Sequence, residues 1–142
     1  MDHSLAPLHR IVFPSSYDYE ELDAAFTELE EFFGAIARNT PHQPVGVIVD
    51  TTLVTKSTAK NRQRIALASE RMSSVLEAQA IGQAFVVSRP VTRGALTAVM
   101  WIKNPPWPVK VFARVGPAEE WLRGKFQEAG VVVPRAPTRE VG

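Results

Sequence analysis

The run Val45-Gly46-Val47-Ile48-Val49 is apolar at every position and stops at Asp50. A strand with one face in water alternates apolar and polar residues, whereas a strand covered on both faces has no reason to alternate. The run is short and rich in β-branched residues, so it predicts a central strand of a parallel sheet with helices on either side. The rest of the chain meets that demand. Leu8 to Phe13 is a β-prone run closed by Pro14, and Ala84 to Val87 and Val109 to Ala113 are two more. Between them, apolar residues recur at helical spacing. Leu22, Phe26, Leu29, Phe33 and Ile36 follow an Asp18-x-x-Glu21 capping pattern; Ile65, Ala68, Met72, Val75 and Leu76 follow Ser57 or Thr58. Val91 to Ile102 follows Pro90, and Ala118, Trp121, Leu122, Phe126 and Ala129 follow Pro117, with Gly130 as a stop. Gly82 reads as the end of the second helical unit. Alternating β and α units predict one α/β domain over residues 8–130, a mainly parallel four- to five-stranded sheet covered by about four helices. Residues 1–7 and 131–142 are expected to be flexible termini.

At 142 residues the chain has room for one core. It holds no cysteine, which removes disulfides, thiolate metal sites and cysteine nucleophiles, and fits a reducing cytoplasm. Its three histidines, His3, His9 and His42, lack metal-ligand spacing. The first residues hold Asp2, His3 and Arg10 and no long apolar run, so no secretory leader is expected. The longest near-continuous apolar stretch, Ala95 to Ile102, falls far short of the roughly 20 residues that cross a bilayer. Neither a Gly-x-Ser-x-Gly elbow nor a glycine-rich phosphate loop is present. No catalytic residue, metal or cofactor is assigned, and the chain is not expected to be an enzyme.

Charge is unevenly spread. Residues 1–50 carry nine acidic and two basic residues, residues 51–114 carry ten basic and two acidic, and the remainder four of each. Such a layout either gives a positive face to an acidic partner or reflects solvated helix faces. Nucleic acid is not an expected partner, because the acidic segment offsets the basic one and no recognition motif is present.

Two regions are candidates for function. The loop Thr51 to Thr58 is rich in hydroxyls and runs into a helix start with cations close behind. Ser57, Thr58, Lys60 and Arg62 are the candidates there for anion binding or phosphorylation, since a helix N-terminus favours negative charge. The alternative is that Ser57 or Thr58 merely caps the helix. Asp50, at a strand end, is either a general base or a turn-fixing group. The second region is the predicted third helix, whose apolar residues exceed one stripe. Trp101, Ile102 and, in the Pro-Pro-Trp-Pro loop, Trp107 are interface candidates, unless the fold covers them itself.

Several segments together resemble the STAS family, in particular its bacterial SpoIIAA-like members. They are Val47-Ile48-Val49-Asp50, the hydroxyl-rich loop, Phe85-Val86-Val87, Arg93-Gly94-Ala95-Leu96-Thr97-Ala98-Val99, and Val111-Phe112 followed by Ala118-x-x-Trp121-Leu122. The resemblance spans Leu8 to Ala129. It implies an additional N-terminal strand and a non-catalytic regulatory or scaffold module acting by protein contact, with a protein partner or a second copy of itself. The family's Asp-Ser-Ser-Gly tetrad falls on Lys56-Ser57-Thr58-Ala59, which keeps a hydroxyl at the phosphorylated position but loses the acid and the glycine. The alternative function is a binding protein for an acidic or amphipathic small molecule, lipid- or nucleotide-like, with the basic loop taking the charged end.

Overall fold

All six residues of Val45–Asp50 are buried, and the strand they form, β3, lies in the middle of a five-stranded sheet. The computed structural model describes residues 2–55, 58–90, 93–94 and 106–134. The strands stand in sequence order: β1 (Asp2–Leu5), β2 (Leu8–Val12), β3, β4 (Ala80–Val86) and β5 (Val109–Phe112). β2 to β5 are mutually parallel, and β1 pairs antiparallel with β2. Three helices are described: α1 (Tyr19–Asn39), α2 (Ala59–Leu76) and α3 (Val115–Glu128). The predicted helix after Pro90 falls mostly outside the described residues.

The pleat of β3 divides the core in two. Val45, Val47 and Val49 belong to a cluster with Leu22, Phe26, Leu29 and Phe33 of α1 and Ala68 and Leu76 of α2. Ile48 faces the other way, into a cluster with Ala118, Leu122 and Phe126 of α3. Successive side chains of a strand point to opposite faces, so an unbroken apolar run supplies both cores. α1 begins where the sequence places it, with Asp18 Oδ1 accepting the Glu21 N–H at 2.8 Å.

The second face is covered at close range. β4 begins at Ala80, four residues before the apolar run predicts, so Gly82 is a strand residue and does not close the preceding helix. Gly46 of β3 stands opposite Gly82 of β4 in the sheet. A Cβ on Gly46 would lie 2.8 Å from Phe126 Cε2, and one on Gly82 would lie 3.1 Å from Leu122 Cδ2. The two glycines therefore form the floor on which α3 rests, the close backbone approach that glycine in a strand often marks.

α3 starts at Val115 rather than Pro117, which its first turn accommodates. The chain leaves α3 through Gly130, which has a φ of 75°, where an L side chain would be strained. It then doubles back. Val133 is buried in the α3 core, and the buried Arg123 guanidinium donates to Val133 O at 3.0 Å and Pro134 O at 2.9 Å. Residues 131–134 and 2–5, expected to be parts of flexible termini, are thus a fastened strap and a strand.

Replacing Gly46 by Ala should cost about 1–3 kcal/mol in urea unfolding, the range for overpacking a tight core. Adding Phe126→Leu to the same chain should restore part of the loss. Gly82→Ala should cost less, because it meets the movable end of a leucine.

Candidate functional site

The parallel strands bring their carboxyl ends to one edge of the sheet, where ligands of open α/β folds collect. Asp50 is the last residue of β3, and its side chain is only 2% exposed. One carboxylate oxygen takes the Arg10 guanidinium of neighbouring β2. The other accepts the Thr52 hydroxyl at 2.7 Å and the Thr52 N–H at 3.0 Å. Burial alone would push the Asp50 carboxyl up, but the bonds from Arg10 and Thr52 together hold it below the ordinary aspartate value. Of the two roles open to Asp50 from sequence, this geometry matches the turn-fixing one: the carboxylate binds the loop that follows it.

The loop's hydroxyls are used in the same way. Thr51 Oγ1 donates to Val86 O of β4 at 2.8 Å, and Thr55 Oγ1 donates to Ser15 O, beyond β2, at 2.8 Å. Val54 between them is buried in the α1–α2 core. Thr58 is the N-cap of α2, its Oγ1 accepting the Asn61 N–H at 3.1 Å. The loop is a brace tying three strand ends to a helix start.

Of the anion-site candidates, Thr58 and Lys60 are exposed and Arg62 is partly buried, all in the first turn of α2 or at its cap. Lys60 Nζ sits 4.1 Å from the centroid of the Tyr19 ring in α1. Ser57 lies outside the described residues, as do the interface candidates Trp101 and Ile102. Trp107 is half-buried against the α1–α2 core, and its indole N–H donates to Gln83 Oε1 at 3.1 Å.

The placement of three further side chains depends on packing. Arg64 of α2 is buried against α1. Its side chain is 3% exposed, with Nε 2.7 Å from Asp23 and Nη1 3.3 Å from Glu30 of α1. Burial works against its charge, yet the two carboxylates raise its proton affinity above that of an ordinary arginine. Val75, expected on the buried stripe, is exposed. His9 is buried, edge-on to the rings of Phe32 and Phe33 at 5.6 and 5.5 Å. No signal in the sequence singles out His9 beyond its place in a β-prone run. Among the described residues no group of three His, Asp or Glu is placed to hold a metal ion. Among them, too, no helix is long and apolar enough to cross a membrane.

Asp50 ionises more readily folded than unfolded, so its stabilising contribution is complete above the unfolded carboxyl value near pH 4 and is lost as pH falls through the lower folded value. Arg10→Met should therefore flatten the acid limb of the stability profile. It should also cost about 1–3 kcal/mol at neutral pH by leaving a buried acceptor short of a donor. Thr58→Ala should cost about 1 kcal/mol in urea unfolding, and Thr58→Ser close to nothing, if the hydroxyl's work is capping.

Comparison with family models, with curated proteins and with solved structures finds no match to this chain.

Proposed function

We propose that this protein is a non-catalytic regulatory or scaffold module of STAS type that acts through protein contacts. The observation that carries this reading is the way the polar groups at the strand ends are used. Asp50 is neutralised by Arg10 and fastened to Thr52. The hydroxyls of Thr51 and Thr55 are donated to backbone carbonyls. A general base or nucleophile needs a group with a proton or lone pair to spend on substrate, and these groups are spent on holding a surface in shape. The mixed sheet with its strands in sequence order, four of them parallel and one antiparallel N-terminal strand at the edge, supports the STAS resemblance.

Thr58 is where modulation would act. It is exposed at the start of α2, a position where added negative charge meets the positive end of the helix and the nearby Lys60. A phosphate there would change the charge of the surface without entering the core.

Native mass spectrometry of the protein purified gently from its producing cells tests the reading. The expected result is a complex with another polypeptide or an integral multiple of the 15.7 kDa chain. A monomer that retains a small organic mass would overturn it in favour of a carrier for an acidic or amphipathic molecule.

A further inference from the structure

Two surfaces of the chain carry opposite charge that its own ion pairs leave unused. The first is the outward side of α1. Leu22, Phe26, Leu29 and Phe33 turn into the core, and Glu20, Ala24, Glu28 and Glu31, at helical spacing on the opposite side, are exposed. Among the described residues none of these glutamates is in an ion pair, because the α2 cations Arg64 and Arg71 are taken by Asp23 and Glu30. From Glu20 to Glu31 the stripe runs about 16 Å along the helix axis.

The second surface lies at the β5 edge of the sheet, on the face that α3 covers. There the two elements set lysines against rings. Lys110 Nζ is 5.4 Å from the centroid of the Phe112 ring, the Phe112 and Trp121 rings are 5.9 Å apart, and Lys125 Nζ is 5.6 Å from the Trp121 ring. Lys110 is exposed, as is Arg114 just past β5, and both rings are half-buried. Among the described residues Lys110 and Arg114 have no carboxylate partner, and Lys125 has Glu128 at 4.0 Å. A lysine that already lies over a ring gives up less side-chain freedom on docking than one free in water.

The two surfaces cannot meet within one molecule. α1 packs in the core that holds Val45, Val47 and Val49, and α3 in the core that holds Ile48, so the two helices stand on opposite faces of the sheet.

We infer that a second copy of this chain docks the acidic stripe of its α1 on the lysine and aromatic row of β5 and α3. Its glutamates face Lys110, Arg114 and Lys125, and the small Ala24 lets the rings approach the helix. One exposed ion pair contributes little, but a stripe that meets several cations together adds their contributions. Each copy offers the stripe on one face and the row on the other, so the contact is head to tail: it does not close into a two-fold dimer, and copies add one after another. The inference rests on the protein-contact reading above and names the surfaces and the partner.

Sedimentation equilibrium of the full chain tests it. In about 0.01 M salt the average mass should climb with concentration past twice the chain mass without a plateau, and about 1 M salt, which cuts the screening length to about 3 Å, should return the monomer. Two charge reversals, Glu28→Lys with Glu31→Lys and Lys110→Glu with Lys125→Glu, should each weaken association at least about tenfold with unchanged circular dichroism. Mixing the two variants should restore it, since each then offers the other a complementary surface. A wild-type monomer in low salt, a mass that levels off at the dimer, or association that survives both reversals would overturn the inference. So would a mixture that stays monomeric while both variants are folded. If the chain stays monomeric while native mass spectrometry finds a different polypeptide bound, self-docking is refuted and the module reading stands. A retained small molecule in place of any polypeptide refutes the reading beneath it.

Discussion

A strand whose six residues are all buried has to be covered twice, and the chain covers β3 by two different means. Toward α1 and α2 the space is filled by volume, with Phe13, Phe26, Phe33 and Phe85 in one cluster. Toward α3 it is closed by proximity, because Gly46 and Gly82 let Leu122 and Phe126 settle against the backbone. Dispersion contacts fall off steeply with distance, so the close approach of α3 strengthens its packing on this face. The strap from Val131 to Pro134 extends that thin cover, with Val133 in the same cluster as Leu8 and Ile48. Arg123 is buried to hold it, and its cost of burial is offset by Glu119 at 2.8 Å and by two carbonyls that would otherwise need other donors.

The opposite charges of the two halves of the chain meet inside one molecule. α1 carries the acids and α2 the bases, and the helices pack side by side with Arg64 between Asp23 and Glu30, and Arg71 on Glu30. Complementary segments that read as a docking signal in sequence thus act first as an intramolecular clamp. Arg64 is the central member: removing either carboxylate leaves a buried cation with fewer partners, while Arg71, half-exposed, contributes little by itself.

Much of the architecture was legible in the sequence because it rests on apolar periodicity. The parallel strands at Leu8, Val45 and Val109, the Asp18 cap, the Thr58 cap and the Gly130 exit all follow from local rules that tertiary contacts reinforce. The start of β4 did not, because Ala80-Ile81-Gly82-Gln83 has neither bulk nor alternation, and a glycine there reads as a stop. It is a strand because Leu122 and Trp121 lie over Gly82, a contact that depends on a helix forty residues away. Arg64 and His9 were illegible for a related reason: their burial depends on which side chains of α1 arrive opposite them. At the strand ends the residue types were visible, but their use was not. A threonine-rich loop looks the same whether its hydroxyls face a ligand or, like those of Thr51 and Thr55, the carbonyls of neighbouring segments.

The sequential order of the strands has a kinetic side. Each strand pairs only with its neighbours in the chain, so every pairing closes across one connection and none waits for the two ends to meet. Assembly can therefore proceed in the direction of synthesis. Once β4 has emerged, the described α1–α2 core lacks Trp107 and Val109, whereas the reverse side lacks the whole of α3. Until α3 leaves the ribosome, Ile48, Ala84 and Val86 lie on an apolar surface made flatter by the glycine pair. The half-built chain is then a sheet with one open face, the form most prone to stick to its own kind, and the last helix ends that exposure.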